Sequence, residues 1–264
     1  PLGNLKFEDL AGAWMVNLGG GERGSVSMTS GPGRTVEEQI QNGVRQLDQR
    51  LNDGQISKNH IFKQGVAFGN ITDEVREKIK RALREYYGTG VAPPVTTYVE
   101  QPPADGSMFS IELSAARGKG VQVLRIDEHM TVVEDADTLQ VHIGGIAPGP
   151  GMANAYQETD DVLKKGRLAL QKAEAELKRL GKIPQDYTLD YRQVLRFWFY
   201  QNDILKPDPA GGNRYQQLNN ARYDYFTTSL EGKAIPFGEG MIPEASGENP
   251  VWPASTGIGM LRGT

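Results

Sequence analysis

At 264 residues the chain is long enough for one large or two ordinary domains, and 38% hydrophobic with 23% charged residues is the composition of a folded protein, not a disordered one. A formal net charge of -4 argues against a nucleic-acid partner, which demands a basic footprint. Zero cysteines remove disulfides, thiolate nucleophiles and zinc-thiolate sites, and fit a reducing cytoplasm.

The chain opens Pro1-Leu2-Gly3, which reads as a processed end and not a targeting signal. No apolar run approaches the ~18 residues of a membrane span. After a polar lead-in, Trp14 to Leu18 is a short apolar strand candidate before Gly19-Gly20-Gly21, and a second follows at Gly24 to Met28. Thr35 with Glu38 three residues on makes a capping box for a helix. Val36, Ile40, Val44, Leu47 and Leu51 recur along it at steps of four and three, so one face packs. His60 to Phe68 reads as a strand. A second helix starts at Thr72 or Asp73, carries Val75, Ile79, Leu83 and Tyr86 on one side, and stops at Gly88 and Gly90. Pro93 to Val99 and Met108 to Ala116 are two further strands.

Gly118 to Asp137 joins this unit to the next and carries strand character at Val121 to Ile126. The order then restarts. Leu139 to Ile143 is a strand entering a glycine turn, and Thr159 or Asp160 is the expected cap of a long helix with a stripe of Val162, Gly166, Leu170, Ala173, Leu177 and Leu180. Tyr191 to Tyr200 is a near-continuous apolar strand, which predicts burial on both faces. A helix over Asn213 to Phe226 and a strand over Trp252 to Met260 complete the parallel.

The segments Pro93-Pro94-Val95-Thr96-Thr97-Tyr98-Val99-Glu100 and Phe109-Ser110-Ile111-Glu112-Leu113-Ser114-Ala115-Ala116, with the order of elements, resemble the YjgF/YER057c/UK114 family, also called RidA. The resemblance implies a mixed sheet backed by two helices, trimers with clefts between subunits and, in deaminase members, hydrolysis of reactive enamines and imines. An arginine there grips the substrate carboxylate and a glutamate positions water. In this chain the arginine position falls on Thr96 and the glutamate position on Ser110. In the second copy the arginine position falls on Ser255.

Pro253 to Gly259, Val194 to Trp198 and the helix from Arg214 to Arg222 look more like the chorismatase branch of that superfamily, in its amino-terminal lobe. Chorismatases pair two such domains and release pyruvate from chorismate. Their catalytic glutamate and most substrate contacts come from a later lobe that has no counterpart in this sequence. The expected fold class is therefore α+β, with two tandem RidA-like (chorismate-mutase-like) domains. A degenerate one spans 1–120, a linker 121–138, and a second, lacking its last strands, 139–264.

Arg214 and Arg222, eight apart on one helix, are placed to grip carboxylates or else to form salt bridges on a solvated face. Arg196 interrupts an apolar strand and needs a partner or a ligand. Tyr215, Tyr223 and Tyr225 either orient a cyclic substrate or pack as core. Ser255, Thr256 and Gly257 offer hydroxyls and bare backbone N–H groups to an anion, or simply form a tight strand entry. The binding set expected from the sequence is thus Arg196, Arg214, Tyr215, Arg222, Ser255, Thr256 and Gly257.

Glu239, Glu244 and Glu248 sit in a long Gly/Pro loop as candidate acids. His60, His129 and His142 are isolated from one another, so no metal site is expected, and no glycine pattern calls for a nucleotide cofactor. The function expected is that of a metal-free, cofactor-free biosynthetic enzyme. Its substrate would be a small carboxylated cyclic or enol-ether/enamine metabolite, handled by chorismatase-like acid–base chemistry. A RidA-type deaminase is one alternative. A non-catalytic scaffold or ligand-binding subunit is the other. Partners expected are a small anionic metabolite and either further copies, as a trimer, or a second chain completing the second domain.

Overall fold

The structure is a computed structural model that describes residues 13–18, 21–88, 90–227, 229–230, 233–234 and 254–260. The fold class is the α+β one expected, and the chain divides into two units, Pro1–Gly145 and Ile146–Thr264.

In the first unit the order is β1 (Ala13–Leu18), β2 (Gly21–Thr29), α1 (Val36–Asp53), β3 (Ile61–Phe68), α2 (Asp73–Tyr87), β4 (Val95–Val99) and β5 (Phe109–Gly118). These strands form one sheet in the order β1-β2-β5-β3-β4. Among the paired neighbours only β3 and β4 are parallel, and helix α2 makes the crossover between them. Thr35 caps α1 by accepting from the Glu38 N–H at 3.1 Å, while the Glu38 carboxylate reaches back to the Arg34 N–H at 2.8 Å, one residue short of a full capping box. Both helices lie on one face of the sheet. Ile40, Leu47, Leu51, Ile79 and Leu83 meet Val26, Met28, Val66, Phe68, Ile111 and Leu113 there in a single core.

The opposite face is covered from within the same unit. Strands β6 (Gln122–Asp127), β7 (Met130–Glu134) and β8 (Leu139–Ile143) form a separate antiparallel sheet in the order β6-β7-β8. Val133 packs with Phe62 and Ala116. Thr131 accepts from the Val95 N–H at 3.3 Å. Arg125 donates to the carbonyls of Lys58, Ile61 and Ala92. A Cβ on Gly144 would fall 2.6 Å from Val95 Cγ1, so only glycine lets the end of β8 sit down on β4. The strand at Leu139–Ile143, expected to open the second unit, instead pairs with β7 in the first, and the units divide after Gly145. The helix-free face, which in the trimers implied by the resemblance would be buried against other copies, has a cover of its own over β3, β4 and the end of β5.

In the second unit the order is α3 (Ala155–Arg179), β9 (Arg196–Asn202), α4 (Arg214–Thr227), the two-residue strands β10 (Ser229–Leu230) and β11 (Lys233–Ala234), and β12 (Ala254–Met260). Helix α3 begins earlier than Thr159. Asn154 caps it by accepting from the Gln157 N–H at 2.9 Å, and buried Thr159 instead donates from its hydroxyl to the Ala155 carbonyl inside the first turn. Leu163, Leu170, Ala173 and Leu177 form its buried stripe. Strands β9 and β12 are parallel neighbours, as β3 and β4 are. The sequence α-β-α-β with a parallel final pair therefore occurs in both units, although the described residues of the second include no counterpart of β1, β2 or β5. No helix among the described residues is long and apolar enough to cross a membrane.

Candidate functional site

Strand β9 decides how the expected residues are distributed. It is not buried on both faces. Phe197 and Phe199 stack at 5.5 Å between ring centroids, and Phe197 also meets Tyr191 at 5.6 Å and Phe226 of α4 at 6.0 Å. That is the face toward the helices. Side chains alternate along a strand, so Arg196 and Trp198 stand on the other face. Arg196 is exposed with its guanidinium 5.5 Å from the Trp198 ring centroid, which corrects the expectation that a buried partner would be needed.

The β9–β12 register carries the split across the pair. Ser255, Gly257 and Gly259 lie opposite Phe197, Phe199 and Gln201 and share the helix face, while Thr256 lies opposite Trp198 and shares the outer one. A Cβ on Gly257 would fall 2.9 Å from the Tyr215 ring and 3.3 Å from Ile204 Cδ1, and one on Gly259 would fall 2.8 Å from Ile204 Cγ2. The two glycines are what allow α4 and its entry to lie directly on the strand. Tyr215, Ser255 and Gly257 therefore belong to one side of the unit, and Arg196 and Thr256 to the other.

The two arginines of α4 have opposite situations. Arg214 is fully engaged: it bonds Glu158 at 2.6 Å and the Asn202 carbonyl at 2.9 Å, and pairs at 3.7 Å with Asp208, whose side chain is 0% exposed. Asp208 also accepts from the Ala155 N–H at the start of α3 at 2.9 Å. This arginine fastens the loop before α4 to α3. Arg222 has no hydrogen bond or ion pair among the described residues, and its Nε is buried without a partner. Burial holds its guanidinium below the ordinary arginine range, with the Tyr215 phenol acting in the opposite direction. A buried donor left unsatisfied costs about 1–3 kcal/mol, so the Arg222 Nε–H is available to donate to an acceptor beyond the described residues.

The tyrosines divide similarly. Tyr225 is buried and packs edge-on against Tyr191 and Phe226, which makes it core, whereas Tyr215 is 42% and Tyr223 58% exposed. Of the nearby carboxylates, Glu158 and Asp208 are held by Arg214, and Asp224 accepts from the Tyr156 hydroxyl at 2.9 Å. Glu239, Glu244 and Glu248 lie outside the described residues. So do Trp252 and Pro253.

In the first unit Thr96 and Ser110, where the sequence resemblance would place arginine and glutamate, face apart. Thr96 is buried toward the helices, donating to the Pro94 carbonyl at 2.8 Å and accepting from Gln64 Nε2 at 3.4 Å, with Gln64 in turn accepting from the Tyr87 hydroxyl at 2.6 Å. Ser110 is on the helix-free face, between the core residues Phe109 and Ile111. Sequence reasoning missed a basic group at Lys63 and His142 in this unit. The signal was present in Ile61-Phe62-Lys63-Gln64, where strict alternation of apolar and polar residues breaks. No cluster of three His, Asp or Glu side chains fit to hold a metal occurs among the described residues.

No family model and no curated protein matches the chain. Solved structures of similar fold carry the family name that the motifs suggested. A YjgF family member from Neisseria meningitidis is 18% identical over 39% of this chain and 84% of its own, with a TM-score of 0.33. The YjgF gene product of E. coli is 13% identical over 39% and 85%, with a TM-score of 0.32. A YjgF/YER057c/UK114 family member from Mycobacterium tuberculosis is 23% identical over 38% and 82%, with a TM-score of 0.29. The likeness is one of fold.

Proposed function

We propose that this chain binds a small carboxylated metabolite on the α4–β12 side of its second unit, with Arg222 as the clamp and Tyr215, Ser255 and the bare backbone at Gly257 beside it. The observation that carries the proposal is the buried, unpartnered Nε of Arg222. A planar guanidinium offers paired donors in a fixed fork that matches a carboxylate. Ser255 and Gly257 are drawn to it by register and not by contact. Gly257 lies against Tyr215, the strand rises about 3.3 Å per residue toward its start and the antiparallel helix about 1.5 Å, so Ser255 falls near the level of residues 219 and 220, less than one helical turn before Arg222.

The ligand class proposed is a cyclic or enol-ether/enamine acid of the kind that chorismatase-like enzymes process, acted on by protonation without metal or cofactor. Arg196, Thr256 and Arg214 drop out of this set, the first two by face and the last by its ion pairs. The deaminase alternative is the weaker one, since Thr96 is closed into a hydrogen-bonded core. At the level of assembly the proposal includes further copies as a trimer, or a second chain beside β9. Incubation with chorismate, followed by assay of pyruvate, tests the chemistry. Pyruvate released by the wild type and lost in Arg222→Gln supports it. Binding without pyruvate leaves a ligand-binding subunit, and neither binding nor pyruvate removes the proposal.

A further inference from the structure

The β3–β5 register skips a residue between Ile61 and Lys63. Such a bulge re-aims side chains, and here it turns both Phe62 and Lys63 to the helix-free face. Phe62 packs under β7 with Val133 and Ala116, and its ring lies 4.4 Å from that of His142 on β8. Lys63 lies opposite Ser114, and Ser114 opposite Ser25, so an amine and two hydroxyls form one row across β3, β5 and β2. Arg23 stands two residues from Ser25 on the same face of β2 and gives Nη2 to Asp135 at 2.9 Å.

His142 completes the group from above. Its Nε2 is buried and has no hydrogen-bond partner. Burial, and then the positive charges of Lys63 and Arg23, push its pKa down to about 4. Burial also lowers the Lys63 amine, with the exposed Glu112 carboxylate acting against that. Of the carboxylates near the group, Asp135 is engaged by Arg23 and Glu112 acts on Lys63 from an exposed position.

We propose that the seam between the two sheets of the first unit, at the β3 bulge, is a binding site for a small oxyanion held by Lys63, Arg23 and His142 with the Ser25 and Ser114 hydroxyls alongside. An oxyanion there gives the orphan imidazole nitrogen a partner. It also offsets two cations that otherwise keep the ring neutral, so His142 takes up a proton from solvent as the anion binds. The site is independent of Arg222.

The test follows the His142 ring by NMR in the full chain while inorganic sulfate replaces chloride at constant ionic strength. Sulfate at millimolar concentration is expected to raise the His142 pKa by about one unit or more. Lys63→Met should abolish the rise, Lys63→Arg should keep it, and Arg222→Gln should leave it unchanged. An equal His142 pKa in sulfate and chloride overturns the proposal, as does a sulfate effect that persists in Lys63→Met. Should Lys63→Met fail to fold, Ser114→Ala serves in its place, with sulfate affinity expected to fall severalfold and an unchanged affinity counting against the site.

Discussion

His142 and the two arginines of α4 show how much a residue's meaning depends on what surrounds it. His142 is kept neutral in the folded chain, with its pKa lowered from 6.5 to about 4 by burial, Lys63 and Arg23. A depressed histidine favours the fold only while it is uncharged. Its contribution is therefore complete above about pH 6.5 and is lost as pH falls from there through about 4, by at most about 3.5 kcal/mol at roughly 1.4 kcal/mol per unit. Urea unfolding at pH 7 and pH 4.5 in chloride should show this loss in the wild type and a smaller one in His142→Asn. Equal pH dependence in the two would contradict the assignment. Arg214 and Arg222 differ in the same physical sense. Removing Arg214 strands the buried Asp208 carboxylate, so Arg214→Ala should destabilise the second unit by about 3–5 kcal/mol. Arg222→Gln removes no partner among the described residues and relieves part of the cost of an unsatisfied buried donor, so it should leave the unit at least as stable as the wild type. Comparable losses in the two variants would refute the division between fastening and binding.

At the scale of elements, the helix starts are the local decisions most open to test. Asn154, and not Thr159, caps α3, so Asn154→Ala should lower the thermal midpoint by the equivalent of about 1 kcal/mol, measured by far-UV circular dichroism. Thr159→Val keeps the shape inside the buried turn and should cost less. Much at this scale was legible in the sequence. The 3.6-residue stripe of α1, its cap at Thr35, a start for α2 at Thr72 or Asp73 and a strand over His60 to Phe68 follow from spacing and residue type, and the structure has them as caps at Thr35 and Thr72 and a strand at Ile61–Phe68. The start of α3 was hidden because Asn154 follows a glycine-proline loop and its helper Asp208 lies 53 residues away in sequence, a tertiary contact that no local pattern encodes. The burial of β9 was misjudged for a related reason: an apolar run fixes a strand but not its neighbours, and one face of this one carries exposed Arg196 and Trp198. Of the candidate site, the arginines and the Ser255–Gly257 segment were legible as chemistry. Which of them share a face was not, because that depends on register.

At the scale of the whole molecule, each unit repeats a helix-strand-helix-strand order ending in a parallel pair, and the duplication proposed for the chain rests on that order. The first unit adds the β6–β8 sheet over its helix-free face, where Val133, Thr131, Arg125 and Gly144 bind it to β3, β4 and β5. Native mass spectrometry bears on the proposed assembly. A multiple of 29.0 kDa, or a second chain, agrees with it, whereas 29.0 kDa alone would mean that β6–β8 does for the sheet what a neighbouring copy was expected to do. The central claim is that Arg222 is held unpaired for a carboxylate from outside the chain. Isothermal calorimetry with chorismate, on the wild type and on Arg222→Gln at matched ionic strength, tests it most directly. Saturable binding weakened about tenfold or more in the variant is the result expected from losing a charge-assisted pair. Equal binding in the two proteins, or none in the wild type, would contradict it.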